Sequence, residues 1–214
     1  MHDREKDLSS TEIVRKRYNR IAPLYDVLEW PMEVLWFRRW RRDLWQDVRG
    51  REKILELGVG TGKNIPWYPH GTRIHAIDIS EKMLARARRR AKRLEAEIDL
   101  EVADAQELPF PDASFDTVIA TFLFCSVPDP ITGLKESLRV LKPGGRLLLM
   151  EHVLSEHRIL RQLMRWLDPL TYRLWGAHID RETASNVRAA GFENIEAENL
   201  ALDIVKRITA TKAS

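Results

Sequence analysis

The 214-residue sequence contains a single cysteine, Cys125, so it cannot close an internal disulfide, and no Cys/His cluster has the spacing of a metal site. It contains no apolar run near the roughly 20 residues that a membrane-spanning helix needs. It shows no internal repeat and no low-complexity tract. The opening residues, MHDREKDLSS, are polar and charged, which is not a signal-peptide pattern, and they read as a frayed leader. The net charge of +3 is too small to point to nucleic acid by itself, so the placement of charge matters more. The expectation is an intracellular protein, soluble or peripheral, built as one domain with an appended helical segment.

The hydrophobic pattern changes along the chain. Residues 11–22 read as a helix starting near Ser10 or Thr11. Residues 32–48 carry Phe37, Trp40, Leu44 and Val48 at helical spacing, with Gly50 as a stop. Beyond residue 50 strands alternate with helices. Strands are expected at 53–57, 73–78, 98–104, 115–121, 146–153, 193–199 and 203–211. Helices are expected at 81–94 (capped by Ser80, with Leu84, Ala87, Ala91 and Leu94 on one face), at 131–141, at 156–175 with a break at Asp168-Pro169, and from an Asp180 cap to Gly191. KPGG at 142–145 reads as a turn. This alternation predicts a doubly wound, mostly parallel α/β sheet that binds ligands at the carboxyl ends of its strands.

After the first strand, Gly58, Gly60 and Gly62 form G-x-G-x-G, and Asp78 ends the second strand 20 residues after Gly58. Such glycines let a ligand approach the backbone, and a carboxylate at that place accepts ribose hydroxyls. The dinucleotide fingerprint needs glycine where Lys63 stands, which argues against a dehydrogenase. Taken alone, the loop is weak evidence, with a tight strand-to-helix turn as its alternative.

Four segments in order, LELGVGTGKN, AIDIS with Met83, VADAQELPFPDASFDTVIA and SLRVLKPGGRLLLMEH, resemble the class I S-adenosylmethionine-dependent methyltransferases over about residues 53–212. The resemblance implies a seven-stranded Rossmann-like sheet in a methyltransferase domain of residues 51–214, behind an N-terminal helical cap of residues 1–50. It implies S-adenosylmethionine as cofactor, S-adenosylhomocysteine as product, and no metal. By position, Glu56, Gly58, Gly60 and Gly62 would surround the methionine part of the cofactor, with Asn64 near its carboxylate. Asp78 would hold the ribose, Ile79 and Met83 would cover the adenine, and Asp104, Ala105 and Gln106 would meet its edge. Thr121 and Phe122 would lie near the transferred methyl, and Tyr18 from the cap would close over the cofactor. For Met83, Tyr18 and Tyr25, ordinary packing is an equal alternative, and Asp104 is alternatively a turn residue.

Methyl transfer from a sulfonium asks mainly that nucleophile, methyl and sulfur be held in line, with a base where the nucleophile starts protonated. Tyr25 and His152 are the candidates at the reacting atoms. His152 ends the fifth strand and titrates near neutrality, although a hydrogen-bonded structural histidine is the plainer role. Cys125 reads as a small buried residue, and His178 as a residue of the pocket mouth. The Asn/Asp-Pro-Pro-Tyr motif of many base methyltransferases is absent after the fourth strand, where ATFLFCSVPDP stands.

A narrower resemblance bears on the acceptor. YNRIAPLYD is similar to the ubiquinone/menaquinone-type methyltransferases and to bacterial phosphatidylethanolamine N-methyltransferases. FCSVPDP, MEHV and HIDRETASNVRAAGF resemble membrane-associated, methyltransferase-like thiol methyltransferases of animals. Those groups share lipophilic substrates. The animal group carries an N-terminal hydrophobic anchor that this sequence does not show, which argues against permanent attachment. Phosphatidylethanolamine N-methylation is the expected activity. A thiol, quinone-type or other small-molecule acceptor is the alternative, and a nucleic-acid methyltransferase a distant one.

The stretch WFRRWRRDLW (36–45) packs three tryptophans and four arginines into ten residues, and residues 158–175 combine arginines with Leu160, Leu163, Met164, Trp166, Leu167, Leu174 and Trp175. RARRRAKR in the helix at 81–94 reads as a solvated face. The other two segments are expected to cap the cofactor edge with an apolar mouth and a basic rim suited to a phospholipid headgroup. In the first, Phe37, Trp40 and Leu44 would pack the cap onto the core. Arg38, Arg39, Arg41 and Arg42, with Trp36 or Trp45, would face the entrance or an anionic membrane surface. The expected location is cytoplasmic, peripheral on the inner membrane face, with no nucleic-acid partner.

Overall fold

The computed structural model describes residues 9–48 and 52–214. The Gly50 stop lies outside the described residues, as do the side chains of Leu174 and Trp175.

The chain opens with α1 (Ser10–Met32), a π-helical turn at Glu33–Phe37 and α2 (Arg38–Gln46). Ser9 caps α1 by accepting the Glu12 N–H. The two separate helices expected from the pattern are one nearly continuous rod that carries Pro23 and Pro31 inside α1. Each proline removes one ladder donor, which surface carbonyls can offset with water. The widened turn just after Pro31 rotates the face that α2 presents to the core.

Next come β1 (Lys53–Leu57), β2 (Arg73–Asp78), α3 (Glu81–Arg93), β3 (Ile98–Val102) and β4 (Phe115–Thr121). They are followed by α4 (Pro130–Val140), β5 (Leu141–His152), α5 (Arg158–Trp175), α6 (Thr183–Ala189), β6 (Glu193–Ala201) and β7 (Val205–Thr211). Seven strands form one sheet in the order β3-β2-β1-β4-β5-β7-β6. β1 to β5 pair in parallel, and β7 runs antiparallel to both β5 and β6. Strand order reverses between β1 and β4, which sets the crevice at their carboxyl ends.

The core explains this order. Ile54, Leu55 and Leu57 of β1 are fully buried, as a central strand covered on both faces requires. One apolar cluster joins the sheet to α4 and α6, a second takes in Leu44, Trp45 and Val48 beside Ile54, Ile119 and Leu148, and a third lies under α3.

Several boundaries differ from expectation. α5 runs through Pro169 without a break, and Thr171 Oγ1 donates to the Asp168 carbonyl beside it. α6 starts after Glu182 rather than at Asp180. KPGG is a bulge inside β5, because Leu141 and Arg146 pair with Phe115 and Thr117 of β4. Leu94 ends α3 exposed rather than joining its buried face.

Candidate active site

At the carboxyl end of β1 the chain turns through Gly58, Gly60 and Gly62, all at positive φ (67°, 56° and 81°). A Cβ on Gly62 would lie 2.5 Å from Ile65 Cδ1, and one on Gly58 2.7 Å from Leu123 Cδ1, so both glycines let chain pack closely. A Cβ on Gly60 would meet nothing within 4 Å, because that residue borders open space. Asp78, ending β2, accepts the Gly60 N–H at 2.9 Å and the Ser80 N–H at 2.8 Å. Burial pushes its carboxyl up to about 6, against the pull of those two donors.

The open space is a narrow cleft of about 840 Å³ with its mouth included. Of the expected site residues, Tyr18, Tyr25, Gly58, Gly60, Asp78, Ile79, Met83, Asp104, Ala105, Thr121 and Phe122 all line it. Glu56, Gly62, Asn64, Gln106, His152 and His178 do not. Asp104 ends the β3 loop and accepts the Gln106 N–H at 2.9 Å and the Thr11 hydroxyl at 3.2 Å, so Gln106 fixes a wall residue from behind. Phe122 adopts φ 55°, an uncommon and costly conformation for a bulky side chain.

α1 closes the cleft with a polar inner face. The Tyr18 and Ser126 hydroxyls are 2.5 Å apart, and Ser80 Oγ donates to Asn19 at 2.8 Å. Asp26 accepts the Thr61 hydroxyl at 2.6 Å and an Arg90 N–H at 3.0 Å, while Lys63 Nζ reaches Glu29 at 2.6 Å. The outer face of the same rod is apolar, with Leu24, Val27, Leu28, Trp30, Val34 and Leu35 exposed.

Beneath the glycine loop lies a buried polar network. Glu56 accepts from Asn64 Nδ2 at 2.7 Å and from the Tyr68 hydroxyl, and burial raises its carboxyl to about 7. Arg41 joins this network, donating to Thr121 Oγ1 at 2.7 Å, Asn64 Oδ1 at 3.0 Å and Glu33 Oε2 at 3.2 Å. Here the structure separates the arginines and tryptophans of this stretch. Arg41 is buried beside the cleft, not on the surface, and Trp45 is 1 % exposed against Tyr68. Arg38, Arg39, Arg42 and Trp36 remain exposed. Glu151, also buried, accepts the Leu123 and Phe124 N–H groups at 2.9 and 3.1 Å and so fixes the loop after β4. Neither Arg41 nor Glu151 stood out as a site residue in the sequence. The helical position of Arg41 beside the buried Leu44 and Trp45 was the one available signal.

His152 lies one layer away. Its ring packs on Phe122 at 4.7 Å, and burial lowers its pKa below the usual imidazole range, so it is neutral at pH 7. It lines a second, largely apolar chamber shared by Tyr18, Tyr25 and Phe122 with the first. His178 sits just outside, stacked on Tyr172 and bonded through Nδ1 to Asp168 at 2.8 Å, while Ala177 and Ile179 on either side of it line the chamber. Cys125 is buried and its thiol pKa is pushed up to about 12, which makes it a poor nucleophile.

The family model described as "Methyltransferase domain" matches residues 55–149. The chain is 44 % identical over 102 residues to a phosphatidylethanolamine N-methyltransferase of Cereibacter sphaeroides, a match that covers 47 % of the chain and 50 % of that protein. It is 36 % identical to a demethylmenaquinone methyltransferase of Clavibacter sepedonicus, covering 72 % of the chain and 71 % of that protein. It is 34 % identical to the thiol S-methyltransferase TMT1B of Rattus norvegicus, covering 72 % and 66 %. The chain thus spans about half to two thirds of the length of several curated relatives it matches. A solved SAM-dependent methyltransferase from Thermotoga maritima superposes with a TM-score of 0.71 at 22 % identity, over 92 % of this chain and 99 % of that one, which is a likeness of fold.

Proposed function

Because the chain belongs to the class I S-adenosylmethionine-dependent methyltransferases, we propose that it binds S-adenosylmethionine in the cleft at the ends of β1 to β4 and methylates a lipophilic acceptor, phosphatidylethanolamine being preferred. The observation that carries this reading is the pair of adjoining cavities, one polar at its base and one largely apolar, with Tyr18, Tyr25 and Phe122 in the wall of both.

The donor set of the cleft fits the cofactor. Asp78 is buried and held by two backbone donors, which leaves lone pairs for vicinal hydroxyls. Gly60 leaves room for a ligand against the backbone. Ile79 and Met83 offer apolar faces for a base, with Asp104 and Ala105 at its edge. Arg41 supplies a buried guanidinium for a carboxylate, and Asn64, expected near that carboxylate, accepts a hydrogen bond from Arg41. Glu56 and Gly62 act from behind the wall by shaping the loop. The bound cofactor supplies an electrophilic methyl on a sulfonium.

The remaining work falls to the chain. α1 excludes water, and the fixed Thr121-Phe122 turn and Tyr25 orient the acceptor toward the methyl. An amine enters as an ammonium, so a proton must leave its nitrogen before attack, and neutral His152 at the chamber wall accepts it. The cap through residue 50 and the domain from 51 onward would act as lid and base of one site.

No helix among the described residues is long and apolar enough to cross a membrane. We infer that a bilayer lipid is reached by peripheral docking on the cytoplasmic face. The exposed apolar face of α1 supports this, as do Ile159, Leu163, Trp166 and Leu170 exposed on the arginine-bearing α5. Thiol and quinone-type acceptors are the second reading, favoured by the rat and Clavibacter relatives. Incubation with a methyl-labelled donor and phosphatidylethanolamine vesicles is expected to label the lipid. Label only in an alkyl thiol or a quinol would reject the preferred acceptor.

A further inference from the structure

The second chamber has a chemistry of its own. Glu29 is the one carboxylate on its wall, and no lysine or arginine lines it among the described residues. The rings of Tyr18, Tyr25, Phe37, Phe122 and His152 line the same chamber. Phe37 and Phe122 have centroids 4.5 Å apart, Phe122 and His152 4.7 Å, and Tyr18 and Tyr25 6.4 Å. Phe122 sits at a strained φ that holds its ring in the wall common to both cavities.

Aromatic faces attract cations, most strongly quaternary or alkylated ammonium, which sheds water easily. A carboxylate among them adds a full charge. Neutral acceptors gain nothing from that charge, and thiolates are repelled by it. Glu29 is not free of competition, because Lys63 Nζ lies 2.6 Å from its Oε2, and the same ammonium sits 5.4 Å from the Tyr25 ring centroid on the cleft side. The lysine lines the cleft, not the chamber, so it holds the carboxylate from the opposite side.

We propose that this chamber is the acceptor site, and that Glu29 with its surrounding rings selects an alkyl-substituted ammonium head group over neutral or anionic acceptors. The proposal rests on the methyltransferase reading and narrows its acceptor to an amine. When the amine has shed its proton to His152, its lone pair forms the N–C bond while the C–S bond breaks with its electrons left on sulfur. The methylated ammonium product remains a cation suited to the same rings.

The test is calorimetric titration of the full chain, saturated with S-adenosylhomocysteine, with octyltrimethylammonium, octanol and octyl sulfate. The ammonium is expected to bind on the order of tenfold more tightly than octanol, with the sulfate weakest. Glu29→Gln is expected to erase that preference. Lys63→Gln, which breaks the same ion pair, is expected to raise it by a few-fold, because a competing cation is gone. Equal binding of ammonium and octanol by the unaltered chain would overturn the proposal. So would Glu29→Gln and Lys63→Gln shifting the affinity in the same direction, the mark of a residue that only latches α1. If Glu29→Gln does not fold, the unaltered chain and Lys63→Gln decide. Failure to bind S-adenosylhomocysteine would count against the donor site instead, while its binding without ammonium preference overturns the chamber assignment alone.

Discussion

Arg41→Met separates a site residue from its surface neighbours. Arg38, Arg39, Arg41 and Arg42 look alike in sequence, yet the Arg41 side chain is 7 % exposed while those of Arg39 and Arg42 are 79 % and 49 % exposed. Methionine keeps most of the apolar stem but removes hydrogen bonds to Thr121, Asn64 and Glu33. Breaking a buried pair from one side costs roughly 3–5 kcal/mol. Glu33 retains Lys63 at 3.9 Å, which offsets part of the loss. A cost of about 3 kcal/mol follows, or a fall in Tm of roughly 6–12 °C for a chain of this size. Arg39→Met and Arg42→Met should stay within about 0.5 kcal/mol of the unaltered chain. Thermal and urea denaturation read the stability, and calorimetry with S-adenosylhomocysteine reads the site, where Arg41→Met should bind about tenfold more weakly or worse. Equal stability and ligand affinity in the Arg41 and Arg42 variants would refute the buried network and its role.

Other consequences are open to measurement. Burial raises Glu151 to about 7 from 4.5, so the folded chain keeps a proton that the unfolded chain has lost between those values. Stability contributed by this group therefore falls as pH rises from about 4.5 to about 7 and is level above. Glu151→Gln keeps an acceptor for the Leu123 and Phe124 N–H groups and should flatten that slope in urea denaturation, and an unchanged slope contradicts the assignment. Trp30→Ser and Trp166→Ser, at residues 65 % and 75 % exposed, should each weaken binding to anionic vesicles about tenfold with little change in Tm. Cosedimentation unaffected by either would remove these faces from membrane docking. Asp26→Asn loosens the contacts of α1 to Thr61, Arg86 and Arg90 and should speed release of S-adenosylhomocysteine about fivefold in stopped-flow displacement. An unchanged release rate would mean that α1 does not gate the cleft.

The features legible in the sequence were those set by neighbours in the chain. Gly58 to Gly62 between a buried strand and a turn, and Asp78 at the end of the next strand, mark locally the sheet edge where the cleft opens. The strand and helix alternation gave the sheet, because each strand is apolar over a short run between polar turns. What stayed hidden depends on partners far away in sequence. Arg41 looked like one of four surface arginines until Thr121, 80 residues on, supplied its acceptor. Either Trp36 or Trp45 fitted a rim aromatic, and the packing of Trp45 on Tyr68, 23 residues on, is not visible in the local pattern. Glu29 carried no motif, since its meaning comes from rings on α1, the π-helical turn, the β4 loop and β5 that meet in one chamber. The uninterrupted prolines of α1 and α5 went the other way, with a local rule overridden by tertiary packing and solvent.

The donor cleft is tested most directly by titrating S-adenosylhomocysteine into the unaltered chain and into Asp78→Ala. Saturable binding is expected for the first, with an affinity loss on the order of a hundredfold or more for the second, since charge-assisted bonds to two hydroxyls disappear. Equal affinity in both, or no binding to the unaltered chain, would contradict the placement of the methyl donor at the ends of β1 and β2.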